Sequence, residues 1–457
     1  MAAASVGFLM AVGLSAARAE EGGELDALKK RLDALEQKQG AAPPAAGGSW
    51  TDKVKVGVHV RVRNEGRFNY DRNSDVGDKD DFTLLRGRLS VDARANENVR
   101  AYFQVQASRN FGDSCLGGTP TAPCPGNGPF GPGNAALGVT VEDEDVSVHQ
   151  GFIDLSSGPW TARLGRQEMK FGDERLVGSL EWANRARSFD GFSLIYDTEE
   201  FKAQPFFHIV EYRPPAFSGL NNDSFFTGFN STLKQIGNGV DLYFLAFLDG
   251  DGAATSTQDG NLFIYTAGLR TKDMPAEGFG YDLEAAGQAG ENDAVKIYAF
   301  ALHAAGAYGL GGEMSPTVSL EYNVASGEDG VGNDNAFKNL FPTNHNKYGA
   351  IDFVTWSNIH HFRGGVSFKP LADLSLFANY HLFLSQEKRG ALGLLTAAAA
   401  VDKRTYGQEL DFYANYVLFK AAKLHGGYSL FLPGDMFPNT ADDAVHFAYA
   451  QVQVDVP

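Results

Sequence analysis

The sequence predicts an all-β protein, a transmembrane antiparallel β-barrel of about 18 strands preceded by a short N-terminal coiled-coil helix. Apolar and polar residues alternate with a period of two from about residue 54 to the C-terminus, as in strands whose two faces meet different surroundings. The strands are predicted to run roughly 10 to 14 residues, longer than the ~5 to 6 of most soluble sheets. Short turns alternate with long loops, which is a feature of transmembrane barrels.

The composition favours such a barrel and excludes several other classes. The mean hydropathy is −0.24 and 21% of the residues are charged, which excludes a bundle of membrane helices. After the N-terminus no apolar run reaches the ~20 residues that a membrane-spanning helix needs. The net charge of −17 argues against a nucleic-acid partner. No long linker follows about residue 50, so we expect one continuous barrel domain at residues 53–457.

Three short segments precede the predicted barrel. Residues 1–19 contain an apolar run and end in Ala-Arg-Ala, which is typical of a signal peptide. Residues 20–39 place four leucines at spacings of three, four and three, the pattern of an amphipathic coiled-coil helix. This helix is predicted either to form a homo-oligomer through residues 24–37 or to act as a loose tether. Residues 40–52 are rich in Pro, Gly and Ala, and we expect a flexible linker there.

The first three predicted strands place cations on their polar face. In residues 53–63 five valines alternate with Lys, His and Arg, and the next two strands repeat this pattern. Because side chains two positions apart share a face of a strand, the cations lie together and must face water. The cations on the polar phase of their strands are Lys55, Arg61, Arg63, Arg86, Arg88, Arg94, Arg100, Arg163 and Arg363. The lumen is therefore predicted to select anions although the whole chain is acidic.

The number of strands follows from the turns. Short turns are predicted near residues 95–98, 156–159, 197–200, 370–373 and 420–422. Long loops, expected on the extracellular side, are predicted near residues 69–80, 111–145, 171–187, 326–360, 385–405 and 432–444. Counting strands forward from the N-terminus and backward from the C-terminus places the long loops on the same side of the membrane only if one more strand is present. The candidate is residues 226–236, which are followed by Gly237-Asn238-Gly239. The total is then about 18, and an even, closed set leaves no unpaired edge in lipid.

Three blocks of residues resemble a known family. The first contains Gly165-Arg166-Gln167-Glu168, Gly172-Asp173-Glu174-Arg175-Leu176-Val177-Gly178, Trp182 and Arg187-Ser188-Phe189-Asp190-Gly191. The second contains Ala325-Ser326-Gly327-Glu328, Leu340-Phe341-Pro342-Thr343, His345 and Tyr348-Gly349, and the third contains Gln408-Glu409-Leu410-Asp411 and Gly426-Gly427-Tyr428-Ser429. Over most of residues 53–454 the chain resembles the alginate export family of bacterial outer-membrane β-barrels. The resemblance implies a monomeric barrel whose arginine-lined lumen attracts a polyuronate, with loops and turns acting as gates.

The predicted anion pathway combines polar-phase arginines with charged residues of the first block. Its members are Arg61, Arg63, Arg86, Arg88, Arg94, Arg100, Arg163, Arg166, Asp173, Glu174, Arg175, Arg187, Asp190 and Arg363. The arginines of the first two strands and of the first block are expected to form the constriction. Arginine suits this role because its planar fork pairs bidentately with carboxylates.

Acidic partners are expected between these arginines, because neighbouring strands lie only ~4.8 Å apart and their guanidinium groups repel one another. The candidate partners are Asp173, Glu174 and Asp190. A second interpretation is that these pairs only lock a loop into the barrel.

Two cysteines and three acidic clusters are interpreted structurally. Cys115 and Cys124 lie in a loop rich in Gly and Pro, and an oxidising compartment favours a disulfide between them. Acidic clusters at residues 142–145, 249–251 and 328–334 carry enough oxygen ligands for Ca²⁺, but they match no EF-hand loop. No metal site and no cofactor are predicted.

The sequence therefore predicts a bacterial outer-membrane channel in lipid, through which an anionic polysaccharide or small anions pass. His345, His360 and His361 match no catalytic or metal motif and are expected to pack loops or lie at interfaces. An enzymatic and a structural role stay open. Glu174 and Asp190 could serve as acid and base in a polysaccharide-acting enzyme, or the barrel could be structural and tether an envelope complex through its N-terminal helix.

Overall fold

The computed structural model describes residues 53–70, 72, 79–111, 145–211, 224–249, 262–293, 295–328, 330, 332–388, 391–392, 395–396, 402–437 and 442–456. Residues from Lys53 onward form one compact unit. The predicted signal peptide, coiled-coil helix and linker lie outside the described residues, as do Cys115 and Cys124. These assignments stay predictions.

Within the described residues, twenty strands follow one another. The first ten are β1 (Val54–Phe68), β2 (Asp80–Arg94), β3 (Val99–Phe111), β4 (Asp145–Ser157), β5 (Trp160–Gln167), β6 (Phe189–Asp197), β7 (Phe201–Glu211), β8 (Ser224–Leu233), β9 (Val240–Asp249) and β10 (Leu262–Asp273). The others are β11 (Gly278–Asn292), β12 (Val295–Gly309), β13 (Thr317–Ala325), β14 (Ile359–Leu371), β15 (Leu374–Ser385), β16 (Ala391–Leu392), β17 (Leu395–Thr396), β18 (Thr405–Phe419), β19 (Ala422–Pro433) and β20 (Val445–Val456). No helix among the described residues is long and apolar enough to cross a bilayer.

Eighteen of these strands close into one antiparallel barrel, which confirms the predicted fold class. Each strand pairs with its neighbour in sequence, and β15 pairs with β18 because β16 and β17 form a separate two-stranded ribbon. The last strand closes the barrel on the first, in a register that runs from Val58 opposite Val456 to Phe68 opposite His446. Closure gives the edge strands partners for their backbone N–H and C=O groups.

The connections alternate between the two ends of the barrel. One end carries short turns at residues 95–98, 158–159, 198–200, 234–239, 274–277, 310–316, 372–373 and 420–421. The other end carries the longer connections, except at residues 293–294, which join β11 directly to β12. The additional strand predicted at residues 226–236 is confirmed as β8. Its turn contains Gly237 and Gly239 at φ 57° and 108°, values that favour glycine.

The period of two separates an apolar outer face from a polar inner face. On β1 the valines at even positions from 56 to 62 are exposed, whereas Arg61 and Arg63 at odd positions are buried inside the barrel. The outer face is just as apolar on the far side, where Leu320 is 74% exposed. An exposed apolar face that runs round a closed barrel is suited to contact with lipid.

The interior is filled by two long connections that fold back from the end of the barrel. We call residues 168–188, between β5 and β6, the first lumen loop and residues 326–358, between β13 and β14, the second lumen loop. They meet at a parallel bridge between Val177 and Phe341. Trp356 and Phe353 of the second loop are fully buried, and each such side chain contributes roughly 1.5–3 kcal/mol through apolar burial. The buried apolar core therefore lies inside the barrel.

The outer face can be tested with arginines on β12. Leu302 is the middle residue of this strand and Tyr308 lies near its end, both exposed on the outer face. We expect Leu302→Arg to destabilise the barrel in phospholipid vesicles by about 2–4 kcal/mol and Tyr308→Arg by about 0–1 kcal/mol, because the cost of a cation rises with depth. Urea titration of the folded fraction measures both. Equal costs at the two positions would contradict the assigned faces.

Candidate functional site

A cluster of arginines lines the inner wall where β1 meets β2. Arg61 stands opposite Arg86 in the register of the two strands, and Arg88 stands opposite His59. Arg61, Arg63, Arg86 and Arg88 are all buried, because each lies on the inward phase of its strand. The structure thus brings together the four strand arginines that were predicted to approach one another.

The first lumen loop supplies the group that separates these arginines. The carboxylate of Glu181 accepts from Arg86 Nη2 at 2.8 Å with Oε2 and from Arg88 Nη1 at 3.0 Å with Oε1. Its main-chain carbonyl accepts from Arg61 at 2.7 Å and from Arg86 at 3.0 Å. Burial alone would raise the pKa of Glu181, but the charges of Arg86 and Arg88 outweigh it and hold that pKa well below its usual range.

Trp182, the next residue, packs between a cation and an imidazole. The Arg63 guanidinium lies 3.7 Å from the centre of the Trp182 ring, and the His345 ring stacks on it at 3.5 Å. Tyr449 meets it edge-on at 5.0 Å. His345, from the second lumen loop, is fixed by Asp352 at 2.7 Å. This stack joins both lumen loops to the wall formed by β1 and β20, and His345 has the loop-packing position expected from the sequence.

A cavity of about 470 Å³ opens beside this cluster. Its cationic lining is Arg61, Arg86 and Arg88, and its neutral polar lining includes the imidazole of His59 with Thr343, Asn346, Gln451 and Gln453. Gln453 stands opposite Arg61 in the register of β20 and β1. Cations and amides of adjacent strands therefore face the same space, which has the volume of a typical small-molecule site.

A second group of predicted arginines forms a compact ion-pair network between β2 and β5. Arg100 donates to Asp92 at 2.8 Å and to Asp154 at 3.1 Å, and Arg163 donates to Asp154 at 2.7 Å. The two cations balance the two carboxylates. Arg94 is exposed at the end of β2, where its charge acts on Asp92 of this network, and it lies outside the cluster at Glu181.

Arg175 of the first lumen loop binds that loop to another part of the wall, at β13. It pairs with Asp173 at 3.0 Å and with Glu321 of β13 at 2.9 Å. Glu321 also pairs with Arg363 of β14 at 3.0 Å. The guanidinium of Arg175 further donates to the Tyr348 hydroxyl of the second loop at 3.0 Å. Buried charges of this kind need several partners, and these contacts hold both loops against the barrel.

Arg187 and Glu174 also act within and between the lumen loops. Arg187 donates to the carbonyl of Gly178 at 3.0 Å and to that of Phe341 at 2.5 Å. Burial lowers the pKa of Arg187 to about 10, so it stays charged at neutral pH. Glu174, at φ 67°, accepts from the Thr343 hydroxyl at 2.8 Å and from the Ser179 amide at 2.9 Å.

The second lumen loop has its own anchor on β18. Glu409, which is buried, accepts from the amides of Ala350 at 2.7 Å and Ile351 at 2.9 Å. Gly349, at φ 87°, leaves room for this approach, since a β-carbon there would lie 2.4 Å from the Glu409 carboxylate. The loop is therefore tied to β18 as well as to the first lumen loop.

Two predicted pathway residues lie on the wrong face of the sheet. Arg166 and Asp190 pair with each other at 2.5 Å, but they share the outward phase of β5 and β6 with Leu164 and Phe192, and the Asp190 side chain is 55% exposed. The period of two places Arg166 on the phase of Leu164 and Asp190 on the phase of Phe192, which is the outer face.

The predicted acidic partners must also be corrected. Asp173 pairs with Arg175, Glu174 binds Thr343 and Ser179, and Asp190 pairs with Arg166. Glu181 takes the place that was assigned to them, together with Glu65, which pairs with Arg63 at 2.6 Å. In the sequence the only signal was the position of Glu181 beside Trp182 in the first block.

In the part of the chain that the structure describes, two groups of His and acidic side chains come close enough to hold a metal ion. They are His149 with Glu168 and Glu181, and Asp173 with Asp282 and His303. In both groups an arginine already contacts a carboxylate, Arg88 in the first and Arg175 in the second. These groups are ion-pair networks, and we assign no metal to them.

Comparison with known proteins places this architecture in a family. The family model described as alginate export matches residues 52–451. The chain belongs to the alginate export family. A comparison with curated proteins finds no significant match. As predicted, this alginate export family barrel belongs in the bacterial outer membrane.

Several solved outer-membrane barrels share the fold. Pseudomonas aeruginosa OccK8 (OprE) matches with a TM-score of 0.60 and 12% identity over 90% of this chain and 100% of its own. Pseudomonas aeruginosa OccK5 (OpdH) matches with a TM-score of 0.59 and 11% identity over 90% and 99%. Pseudomonas aeruginosa OccK2 (OpdF), solved in complex with glucuronate, matches with a TM-score of 0.56 and 13% identity over 90% and 99%.

The role of Arg175 as a loop anchor can be tested against Arg166. Arg175→Gln removes the cation that pairs with Asp173 and leaves Glu321 with Arg363 alone, and breaking a buried pair in this way costs about 3–5 kcal/mol. Arg166→Gln breaks an exposed pair and is expected to cost about 0–1 kcal/mol. Urea unfolding in detergent or lipid compares the two variants. A cost for Arg166→Gln as large as that for Arg175→Gln would contradict the assignment.

Proposed function

We propose that this alginate export family barrel is an outer-membrane channel for small anionic solutes, with carboxylated sugars as the favoured class. The observation that carries this proposal is the pair Arg86 and Arg88, which hold one carboxylate between them at the edge of a 470 Å³ cavity. The carboxylate is that of Glu181, so the geometry for binding such a group is already formed. A solute carboxylate is the same chemical group.

The local charge favours anions in spite of the acidic chain. The cluster contains four arginines, Arg61, Arg63, Arg86 and Arg88. Among the described residues the carboxylates of Glu65 and Glu181 pair with them at 3.0 Å or less, and that of Glu168 lies 3.9 Å from Arg88. The four arginines therefore outnumber these carboxylates by one, and Arg67, which shares Glu65 at 3.0 Å, adds a further cation. Fixed charges act on solutes within a Debye length of ~8 Å and raise the local concentration of anions.

The rest of the cavity suits a hydroxylated solute. Amide and hydroxyl groups can both donate to and accept from the hydroxyls of a sugar, and such groups are present at Thr343, Asn346, Gln451 and Gln453. OccK2, which shares the fold, was solved with glucuronate. That ligand combines one carboxylate with several hydroxyls, which is the chemistry that the two kinds of lining group would recognise.

An anionic polysaccharide such as a polyuronate is the second candidate, favoured by membership of the alginate export family. The lumen loops argue for smaller solutes. They are joined by the Val177–Phe341 bridge, anchored to β13 through Arg175 and anchored to β18 through Glu409. A polymer strand would require these loops to leave the lumen, whereas a small solute could use the existing cavity.

An enzymatic role and a tethering role receive less support. An acid–base pair of Glu174 and Asp190 would need both carboxylates at one substrate, but Glu174 lies between the lumen loops and Asp190 lies on the outward phase of β6. A structural tether would act through the N-terminal helix, which lies outside the described residues. A passive channel needs only a wet lumen with fixed charges.

Reversal potentials in planar bilayers test the proposal. We expect the wild-type barrel to prefer anions in a salt gradient, and we expect Arg86→Ser/Arg88→Ser to lose this preference because the surplus positive charge disappears. Lys234→Ser/Lys296→Ser is the matched control, since it removes two cations that pair with Asp197 and Glu291 away from the cavity. Its selectivity should equal that of the wild type. Cation preference of the wild type would falsify the proposal.

Glucuronate provides a second measurement on the same channels. Addition of sodium glucuronate should interrupt the chloride current of the wild type, because the bound solute occupies the cavity. The interruptions should shorten or vanish in Arg86→Ser/Arg88→Ser. Interruption by a long polyuronate with none by glucuronate would instead support the polysaccharide.

A further inference from the structure

We propose that the carboxylate of Glu181 is a tethered counter-ion that occupies the solute site between passages and speeds the release of each solute. This inference rests on the proposed function. It gives Glu181 a role that differs from that of the arginines. The arginines attract the anion, and Glu181 competes with it.

The contacts of Glu181 are those of a bound solute. One oxygen of its carboxylate accepts from Arg86 at 2.8 Å and the other from Arg88 at 3.0 Å. Its side chain is 35% exposed, in contrast to those of the two arginines, and it lines the cavity. Because this carboxylate borders water, it can move aside when a free carboxylate takes its partners.

The first lumen loop does not depend on this carboxylate for its position. Arg61 and Arg63 donate to the main-chain carbonyls of residues 181–183 at 2.7–3.0 Å. Asn184 donates to the carbonyls of Leu85 and Arg109 at 3.3 Å. Arg175 and Arg187 hold the earlier and later parts of the loop. A merely structural role for the Glu181 carboxylate would therefore duplicate many existing contacts.

Competition of this kind solves a problem that the arginine cluster creates. A carboxylate that met two unopposed guanidinium groups in a confined space would bind tightly, since charge-assisted hydrogen bonds are the strong ones. Conduction needs binding that is weak enough for the solute to leave. A built-in carboxylate replaces the departing solute at once, so that the guanidinium groups are not left unpaired during release.

The arginines also have donors to spare for an incoming solute. Arg86 Nε and Arg88 Nη2 are buried and have no hydrogen-bond partner among the described residues. A small shift of these side chains would allow solute and Glu181 to share the two cations during exchange.

Competition between the Glu181 carboxylate and the solute should not depend on pH near neutrality. The charged or titratable groups around the Glu181 carboxylate are Arg86 and Arg88 of β2, His59 of β1, His149 of β4, and Glu168 and Lys170 of the same loop. The pKa of Glu181 lies below its usual range, and a depressed pKa keeps the carboxylate ionised down through the ~4.3 of a free glutamate. The difference in glucuronate residence time between the wild type and Glu181→Gln is expected to persist from pH 7 to about pH 5. A contrast that disappears over this range would contradict a charged Glu181.

The deciding experiment measures the residence time of glucuronate in single channels of the full-length protein. In Glu181→Gln, which keeps the size of the side chain but removes its charge, we expect residence about tenfold longer and stronger anion preference. Glu168→Gln is the matched control, because Glu168 lies on the same loop at 3.9 Å from Arg88, but its closer partners are His149 at 2.7 Å and Lys170 at 3.0 Å. Its residence time should stay within about twofold of the wild type. Glu181→Asp should fall between wild type and Glu181→Gln.

Three results would overturn the proposal. An unchanged or shorter residence time of glucuronate in Glu181→Gln means that the carboxylate does not compete with the solute. An equally longer residence time in Glu168→Gln means that the loss of any nearby negative charge is enough to explain the change. Failure of Glu181→Gln to fold means that the carboxylate is a loop clamp. These results are distinct from failure of the proposed function, in which the wild type itself would prefer cations or show no response to glucuronate.

Discussion

The structure depends first on the pairing of backbone polar groups in a medium without water. In lipid an unpaired N–H or C=O group costs several kcal/mol, so a sheet can span the bilayer only as a closed barrel. Here closure is made by β20 and β1, from Val58 opposite Val456 to Phe68 opposite His446. An even number of strands, joined by short turns at one end, follows from this requirement. Closure also creates two surfaces of opposite character from one alternating sequence.

The second constraint is that charges placed on the inner surface need partners. The outward phase of β1 is occupied by valines, and the inward phase carries Arg61 and Arg63. Buried guanidinium groups are costly unless their hydrogen bonds are made. The lumen loops supply the acceptors, which include three main-chain carbonyls at residues 181–183 and the Glu181 carboxylate. The same contacts that satisfy the arginines therefore bring the loops inward and narrow the channel.

The lumen loops are held firmly away from the cavity and present a partly exposed side chain at the cavity. Away from the cavity they are held by buried ion pairs and aromatic packing, as at Arg175 with Glu321 and at Trp356. At the cavity they present Glu181, which retains partial exposure. A rigid support under a partly exposed charged side chain is a suitable arrangement for repeated binding and release of anions. The sequence offered two interpretations of the arginines, as a constriction or as a lock for a loop. The two are compatible, because different arginines perform these two roles.

Local patterns in the sequence are enough to specify the barrel, because a period of two and the alternation of turns and loops can be read without knowing any distant contact. They predicted the strand count, the strand β8 and the inward direction of Arg61, Arg86 and Arg88. They could not assign the partners of those arginines, since Glu181 lies more than 90 residues from Arg86 and Arg88 along the chain. The folded chain was needed to show that Glu181 faces them while Asp190 turns outward to Arg166. The physical reason is that a loop's conformation is set by the buried contacts it makes with distant strands, and no local period records those contacts.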